Sequence, residues 1–231
     1  HNIIKVIGEV MFKQITATEA AAMITPHDRV AIGGFLAVGA PESIIDALVA
    51  AGTKDLHIIV IASDWENRGI GKLVVNHQIK SAQVSHTGTN KEIQNQMNSG
   101  EISVELVPQG TLMARCRAFG MGLGGILTPT GIGTMIEEGK QIINLDGEDY
   151  ILETAIPSDF ALIRAWKADR RGNLIYSKTA RNSNPIMAMM GKITIAEVDE
   201  IVETGELDPE HIVTPGVFVN YICLSKEANN G

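Results

Sequence analysis

The sequence predicts an α/β protein: an open, mainly parallel sheet with helices on both faces and a mixed, partly antiparallel C-terminal part. Three observations predict it. Short β-branched runs alternate with segments of helical spacing as far as Phe119, the pattern of successive βαβ units. One run, Leu56-His57-Ile58-Ile59-Val60-Ile61-Ala62, is almost unbroken in its apolar character, as a strand covered on both faces requires. Beyond Gly139 the runs shorten and are joined by tight turns such as Asp146-Gly147, which favours hairpins.

The elements follow in order. Thr18 is placed to cap a short helix from Glu19 to Ile24, which Pro26 ends. Arg29 to Ile32 reads as a strand that enters a loop, Gly33-Gly34-Phe35-Leu36-Ala37-Val38-Gly39. Pro41 occupies a first helical position, Ile44, Ile45, Leu48 and Val49 follow at helical spacing, and Gly52 stops the run. The strand from Leu56 leads into the polar loop Ser63 to Gly69. A strand from Ser81 to His86 precedes Asn90, which caps a helix through Met97 closed by Gly100. Val104 to Val107 is the next strand, and a helix runs from Leu112 to Phe119. Gly120 to Thr134 holds six glycines, too many for a helix or a regular strand. It is either a linker or an ordered loop beside a ligand, and its apolar residues with Thr128-Pro129-Thr130 favour the loop. Ile142 to Leu145 and Tyr150 to Glu153 form a hairpin. Phe160 to Ala168 is a strand returning through Leu174 to Tyr176. A short helix follows Asn184-Pro185, and Lys192 to Val198 and Val217 to Leu224 are the last strands.

Composition bounds the function. The chain has 231 residues, read as one domain over 12–226. His1 to Val10 reads as an appended expression remnant, not a signal peptide, ahead of a native start at Met11. Aromatics are 4% of residues, so aliphatic side chains must fill the core. A net charge of −8 argues against nucleic acid or an anionic membrane as partner, and no apolar stretch reaches spanning length. Cys116 and Cys223 read as buried free thiols, not as a disulfide or metal site, which fits the cytoplasm. No metal site is expected.

In parallel sheets ligands sit beyond the carboxyl ends of the strands. Three polar loops meet on that rim: 33–39, 63–69 and 108–111. Glycines let main-chain N–H groups approach a ligand, and a helix N-terminus favours negative charge. The loop at 33–39 therefore suits a phosphate or a developing oxyanion; the plain alternative is a glycine-rich crossover that binds nothing. His86 reads as a hydrogen-bonded loop residue before a base. Met187, Met189 and Met190 read as core.

Several separate signatures carry a resemblance: Gly33-Gly34-Phe35 through Gly39-Ala40-Pro41, Ser85-His86-Thr87-Gly88-Thr89-Asn90, Glu105-Leu106-Val107-Pro108-Gln109-Gly110-Thr111-Leu112, and Leu127-Thr128-Pro129-Thr130-Gly131-Ile132-Gly133-Thr134. Asp159 to Leu162, Lys167-Ala168-Asp169, Ala180-Arg181-Asn182 and Glu200-Ile201-Val202 extend it. In these the chain resembles the alpha (A) subunits of the family I, or 3-oxoacid-type, coenzyme A (CoA) transferases, of the acetate/acetoacetate and butyrate–acetoacetate type. The resemblance implies the open α/β fold shared with sugar-phosphate isomerases. It implies CoA exchange between a short acyl-CoA and a free carboxylate by a ping-pong cycle, CoA serving as substrate and no cofactor being held permanently. It places the nucleophilic glutamate on a beta subunit, the expected partner in an alpha/beta heteromer, so no glutamate of this chain is nominated. It makes 33–39 the CoA-binding segment and Gln109 a supporting residue at the acyl site; a loop-stabilising amide is the alternative for Gln109. Ser63, Asp64, Asn90, Gly124, Arg181 and Asn182 are rim candidates, and Arg181-Asn182 either reach a carboxylate or tie the loop down. Ser63-Asp64 departs from the mammalian ketone-body relatives, which place two asparagines there. Asp64 would add negative charge near a carboxylate substrate unless it points away. The rival functions are an isomerase or hydrolase, for which no acid/base pair is evident, and a nucleotide- or sugar-phosphate-binding domain without transferase activity. The spacing at 33–39 does not fit the dinucleotide GxGxxG pattern.

Overall fold

The structure, a computed structural model, describes residues 12–226; the remnant expected at 1–10 and the start at Met11 lie outside them. After β1 (Lys13–Gln14), α1 (Ala17–Ala22) starts on a reciprocal cap. The Thr16 hydroxyl accepts the Glu19 N–H at 3.1 Å, and the Glu19 carboxylate accepts the Thr16 N–H at 2.7 Å. The cap is Thr16 rather than Thr18, because only Thr16 has a glutamate three residues on.

Four βα units follow. β2 (Arg29–Ile32), α2 (Glu42–Ala51), β3 (Leu56–Ile59), α3 (Gly71–Val75), β4 (Ile79–Val84), α4 (Lys91–Ser99), β5 (Ser103–Leu106) and α5 (Gln109–Gly120) alternate. The stops are those the sequence announces. Gly52 and Gly100 end α2 and α4 in the left-handed conformation, and the Asn90 side chain accepts the Ile93 N–H at 3.1 Å as the cap of α4.

The second half is β6 (Gly125–Thr128), β7 (Ile142–Leu145), β8 (Glu148–Thr154), β9 (Ser158–Arg164), β10 (Lys167–Asp169), β11 (Leu174–Ile175), α6 (Asn184–Met187), β12 (Gly191–Val198), β13 (Glu200–Val202) and β14 (Tyr221–Leu224). The main sheet has eight strands in the order β1-β14-β12-β9-β2-β3-β4-β5, and every pairing in it is parallel. Between these strands, antiparallel pairing is confined to two small sheets, β6-β8-β7 and β11-β10-β13. The predicted strand Phe160–Ala168 is therefore two strands. β9 lies in the main sheet and β10 in a small one, the chain leaving the sheet at Ala165-Trp166. The glycine-rich segment also differs from expectation: Gly125–Thr128 is a regular strand paired with β8. The hairpin at Asp146-Gly147 forms as predicted, with both residues at positive φ. The run predicted from Val217 divides into a 3-10 turn at Gly216–Phe218 and β14.

Side chains alternate across the sheet, as its pleat requires. Val30, Ile32 and Leu162 join Ile44, Ile45 and Leu48 of α2 and Ile93 of α4 on one face. Ala31, Ala161 and Ile163 join Leu112 and Cys116 of α5 and Met187 of α6 on the other. Both cysteines are free and buried, and burial pushes each thiol up to about 12, so neither is a nucleophile. Truncating Leu48→Ala, fully buried in the first cluster, will cost about 3 kcal/mol, read as a lower denaturant midpoint with an unchanged slope.

Candidate functional site at the switch point of the sheet

β2 has β3 on one side and β9 on the other. The chain thus builds outward from β2 in both directions, and a crevice opens where the order reverses. The loop leaving β2 there is Gly33–Gly39. The Gly33 N–H donates to Leu162 O at 2.9 Å, extending the pairing with β9. Phe35 and Val38 exchange N–H···O bonds of 3.1 and 3.0 Å around a tight turn. Its two central residues, Leu36 (φ 49) and Ala37 (φ 65), are left-handed although neither is glycine, which costs about 1–2 kcal/mol each.

Outside residues hold the turn. The Ser183 hydroxyl accepts the Gly34 N–H at 2.9 Å and donates to Gly34 O at 3.0 Å. Asn184 Nδ2 donates to Gly39 O, and Asn182 Nδ2 to Val38 O, both at 3.0 Å. Asp64 Oδ1 accepts the Ala37 N–H at 2.8 Å, and its Oδ2 accepts the Ile70 N–H at 3.1 Å. Five of the seven loop N–H groups are therefore engaged within the chain; among the described residues only those of Leu36 and Gly39 have no acceptor. Gly39 (φ 79) is needed for packing: a Cβ there would lie 3.0 Å from Ala180 Cα. Bulk at Gly39 would thus displace the loop itself.

The N-terminus of α2 was expected to face a ligand. It is closed by Glu197, fully buried at the end of β12. Its Oε2 accepts the Ser43 and Ile44 N–H groups at 2.9 and 3.1 Å, and its Oε1 takes the Ser43 hydroxyl at 3.0 Å and Arg164 Nη1 at 2.8 Å. Burial raises the Glu197 carboxyl above the usual range, against the pull of Arg164 and the helix N–H groups. The anion at this helix is the protein's own.

The other candidates divide. Asp64 points away from solvent, being 3% exposed, and burial, reinforced by the charge of Glu42, pushes its carboxyl up to about 6 against two main-chain donors. Ser63 is buried beside it; its N–H donates to His86 O at 3.0 Å, and its hydroxyl has no partner among the described residues. Asn90 is occupied at both ends, capping α4 and donating to Ser63 O at 3.2 Å. The Arg181 guanidinium donates to Lys178 O and Tyr176 O at 3.1 and 3.2 Å, which ties its own loop down. His86 is exposed. Gln109 is exposed and is the first residue of α5, not part of a loop before it. Three strand spacings separate β5 from β2, roughly 14 Å, so the sheet does not bring Gln109 against the glycine loop. Gly124 follows the far end of α5, away from the rim, with its carbonyl bonded to the Ala155 N–H at 3.0 Å. The sequence reading missed Ser183, Asn184 and Glu197, each more than 140 positions from its partner. A cavity of about 260 Å³ opens beside the loop, walled by Ala37, Gly39, Glu42, Arg164, Trp166 and Asp199.

Asp64 gives this site a pH signature. Its folded value of about 6 lies above the ordinary value of 3.8, so the folded state binds more protons between those values. Its contribution is present at low pH and is lost as pH rises through 6. The stability of Asp64→Asn relative to wild type will therefore improve between pH 4 and pH 7.5, checked by thermal melts of the two proteins across that range.

Comparison with known proteins agrees with this architecture. A family model described as coenzyme A transferase matches residues 14–225. The chain is 46% identical over 216 residues to the alpha subunit of the acetate CoA-transferase of Escherichia coli (strain K12), covering 94% of this chain and 98% of that one. It is 50% identical over 209 residues to the A-type subunit of the probable succinyl-CoA:3-ketoacid coenzyme A transferase of Bacillus subtilis (strain 168), covering 90% and 88%. Among solved structures, an acyl-CoA transferase from E. coli O157:H7 in thioester complex with CoA has a TM-score of 0.86 at 23% identity, over 93% of this chain and 47% of that one. This chain thus spans about half of that protein. Glutaconate coenzyme A-transferase from Acidaminococcus fermentans has a TM-score of 0.80 at 20% identity, over 94% and 76%. At such identities these two structures share the fold; the family model and the relatives of high identity go further, and the chain belongs to the coenzyme A transferase family.

Proposed function

We propose that this chain is the alpha subunit of a CoA-transferase that moves CoA between a short-chain acyl-CoA and a free carboxylic acid of the acetate, acetoacetate or butyrate type. The observation that carries the reading is near-full-length likeness to chains named as the alpha-type or A-type subunits of such enzymes. These include the A-type subunit of the 3-oxoadipate CoA-transferase of Acinetobacter baylyi, 46% identical over 92% of that chain. The cycle is ping-pong, with the reactive glutamate on a beta-type partner in a heterotetramer or larger heteromer, and CoA is substrate rather than resident cofactor.

The rim fits a supporting role. A carboxylate is a weak nucleophile, so the driving energy comes from binding CoA and desolvating the acid. Charge develops on the thioester oxygen, and fixed donors stabilise it. In this reading the loop 33–39 faces the thioester end of CoA, with the Leu36 and Gly39 N–H groups as its uncommitted donors. Gln109 supports the acyl group from the other side of the rim. The two glutamates nearest the loop are already engaged: Glu197 by α2 and Arg164, and Glu42 by Lys72 at 2.6 Å and the Gly69 N–H at 2.8 Å. That supports a nucleophile brought by another chain. The rival phosphate-binding domain would set its anion at the N-terminus of α2, where Glu197 already sits.

A cytoplasmic location, without nucleic-acid or membrane partners, accords with free thiols and a charge of −8. Among the described residues no helix is long and apolar enough to cross a membrane.

Purified alone, the chain will show no CoA transfer; mixed with a beta-type partner it will transfer CoA from acyl-CoA to acetate or acetoacetate. Trapping the thioester intermediate and mapping the labelled peptide checks the division of labour. A label on this chain overturns it.

A further inference from the structure

Asp64 has features that the family likeness does not explain. It is buried, adopts φ 56 and carries a carboxylate with no cation paired to it among the described residues. The charge that acts on it is that of Glu42, which opposes its ionisation, and the cation nearest to Glu42, Lys72, is bound to Glu42 and Asp46. Such a placement is unfavourable by itself. Two main-chain N–H groups hold it, and they belong to different loops: Ala37 in the glycine loop at 2.8 Å and Ile70 at the start of α3 at 3.1 Å. The Thr89 hydroxyl donates to Asp64 O at 2.8 Å and joins a third loop to the same residue. Room for the carboxylate exists only because residue 69 is glycine: a Cβ there would fall 2.0 Å from Asp64 Oδ2.

Two non-glycine residues in left-handed backbone thus meet in one contact, Ala37 and Asp64, with left-handed Leu36 next to Ala37 in the chain. Strain so concentrated persists only where the surroundings hold it, and it gathers where pre-organisation is needed. The Ala37–Asp64 bond is the only one from the 63–69 loop to the glycine turn among the described residues.

We infer that Asp64 is the positioning residue of the CoA-facing loop: by accepting the Ala37 N–H it fixes the turn at 35–38 and leaves the Leu36 N–H uncommitted for the substrate. Asp64 touches no substrate atom in this scheme and acts through Ala37. The inference rests on the transferase reading for its kinetic consequence, not for its structural one.

The test uses the chain assembled with its beta-type partner and two variants, Asp64→Ala and Asp64→Asn. Asp64→Ala removes the acceptor and will lower kcat/KM roughly tenfold to a hundredfold, as misplaced site groups do, with KM for acyl-CoA rising. Backbone amide exchange over 33–40 will speed up while the heteromer stays assembled. Asp64→Asn keeps one oxygen for the Ala37 N–H and will stay close to wild type in both readouts. Unchanged exchange or unchanged kinetics in Asp64→Ala overturns the inference. If Asp64→Ala does not fold, Asp64→Asn decides: severe loss of rate with the loop still protected would mean that the charge itself acts, which also overturns it. If the wild-type heteromer transfers no CoA, the transferase reading fails, while amide exchange still reports on whether Asp64 holds the loop.

Discussion

The structure depends on one buried carboxylate. Glu197 lies at the end of β12, in the half of the sheet built outward from β9, and it closes the first turn of α2, in the half built outward from β3. A charge with no exposed surface is tolerated only when it is fully bonded. Glu197 has two helix N–H groups, a serine hydroxyl and an arginine. Arg164 in turn reaches Asp199, beyond β12. The same contact therefore seals the crevice floor, satisfies a helix end and locks the two directions of chain growth together. With the helix end occupied, the chemistry above it falls to the loop amides and to whatever a second chain brings.

Much of this was readable in advance, and the reason is local. The glycine loop, the Asn90 cap, the Gly52 and Gly100 stops and the Asp146-Gly147 turn each follow from a few adjacent residues. So did the meeting of the loops 33–39 and 63–69, because a parallel sheet puts its loops at one end. What escaped is set by distance. Ser183 and Asn184 look like ordinary loop residues until the fold carries them against Gly34 and Gly39. Glu197 looks like a strand residue until α2 is set against it. The strand at Gly125–Thr128 was hidden by the glycines around it, whose weak intrinsic preference for strand is overridden by pairing with β8. Gln109 was grouped with the site by its place at a strand end and by the resemblance, and Gly124 by its glycine-rich segment; the sheet sets both apart from the glycine loop.

Burial also changed the meaning of charge. An acid at position 64 reads, in sequence, as a repulsive group at the mouth of a carboxylate site. In the structure it is enclosed and turned toward main-chain donors, so its effect on the site passes through the geometry of the loop.

The contact between Gly33 and Asn184 extends beyond this chain. A Cβ on residue 33 would lie 1.8 Å from Asn184 Oδ1, the oxygen that accepts the Arg164 N–H at 3.0 Å. Neither residue is free to drift alone. A lineage that gains a side chain at 33 must first shorten 184, and shortening 184 unmakes the bond at 164. The two positions, separated by most of the polypeptide, are expected to vary together or not at all.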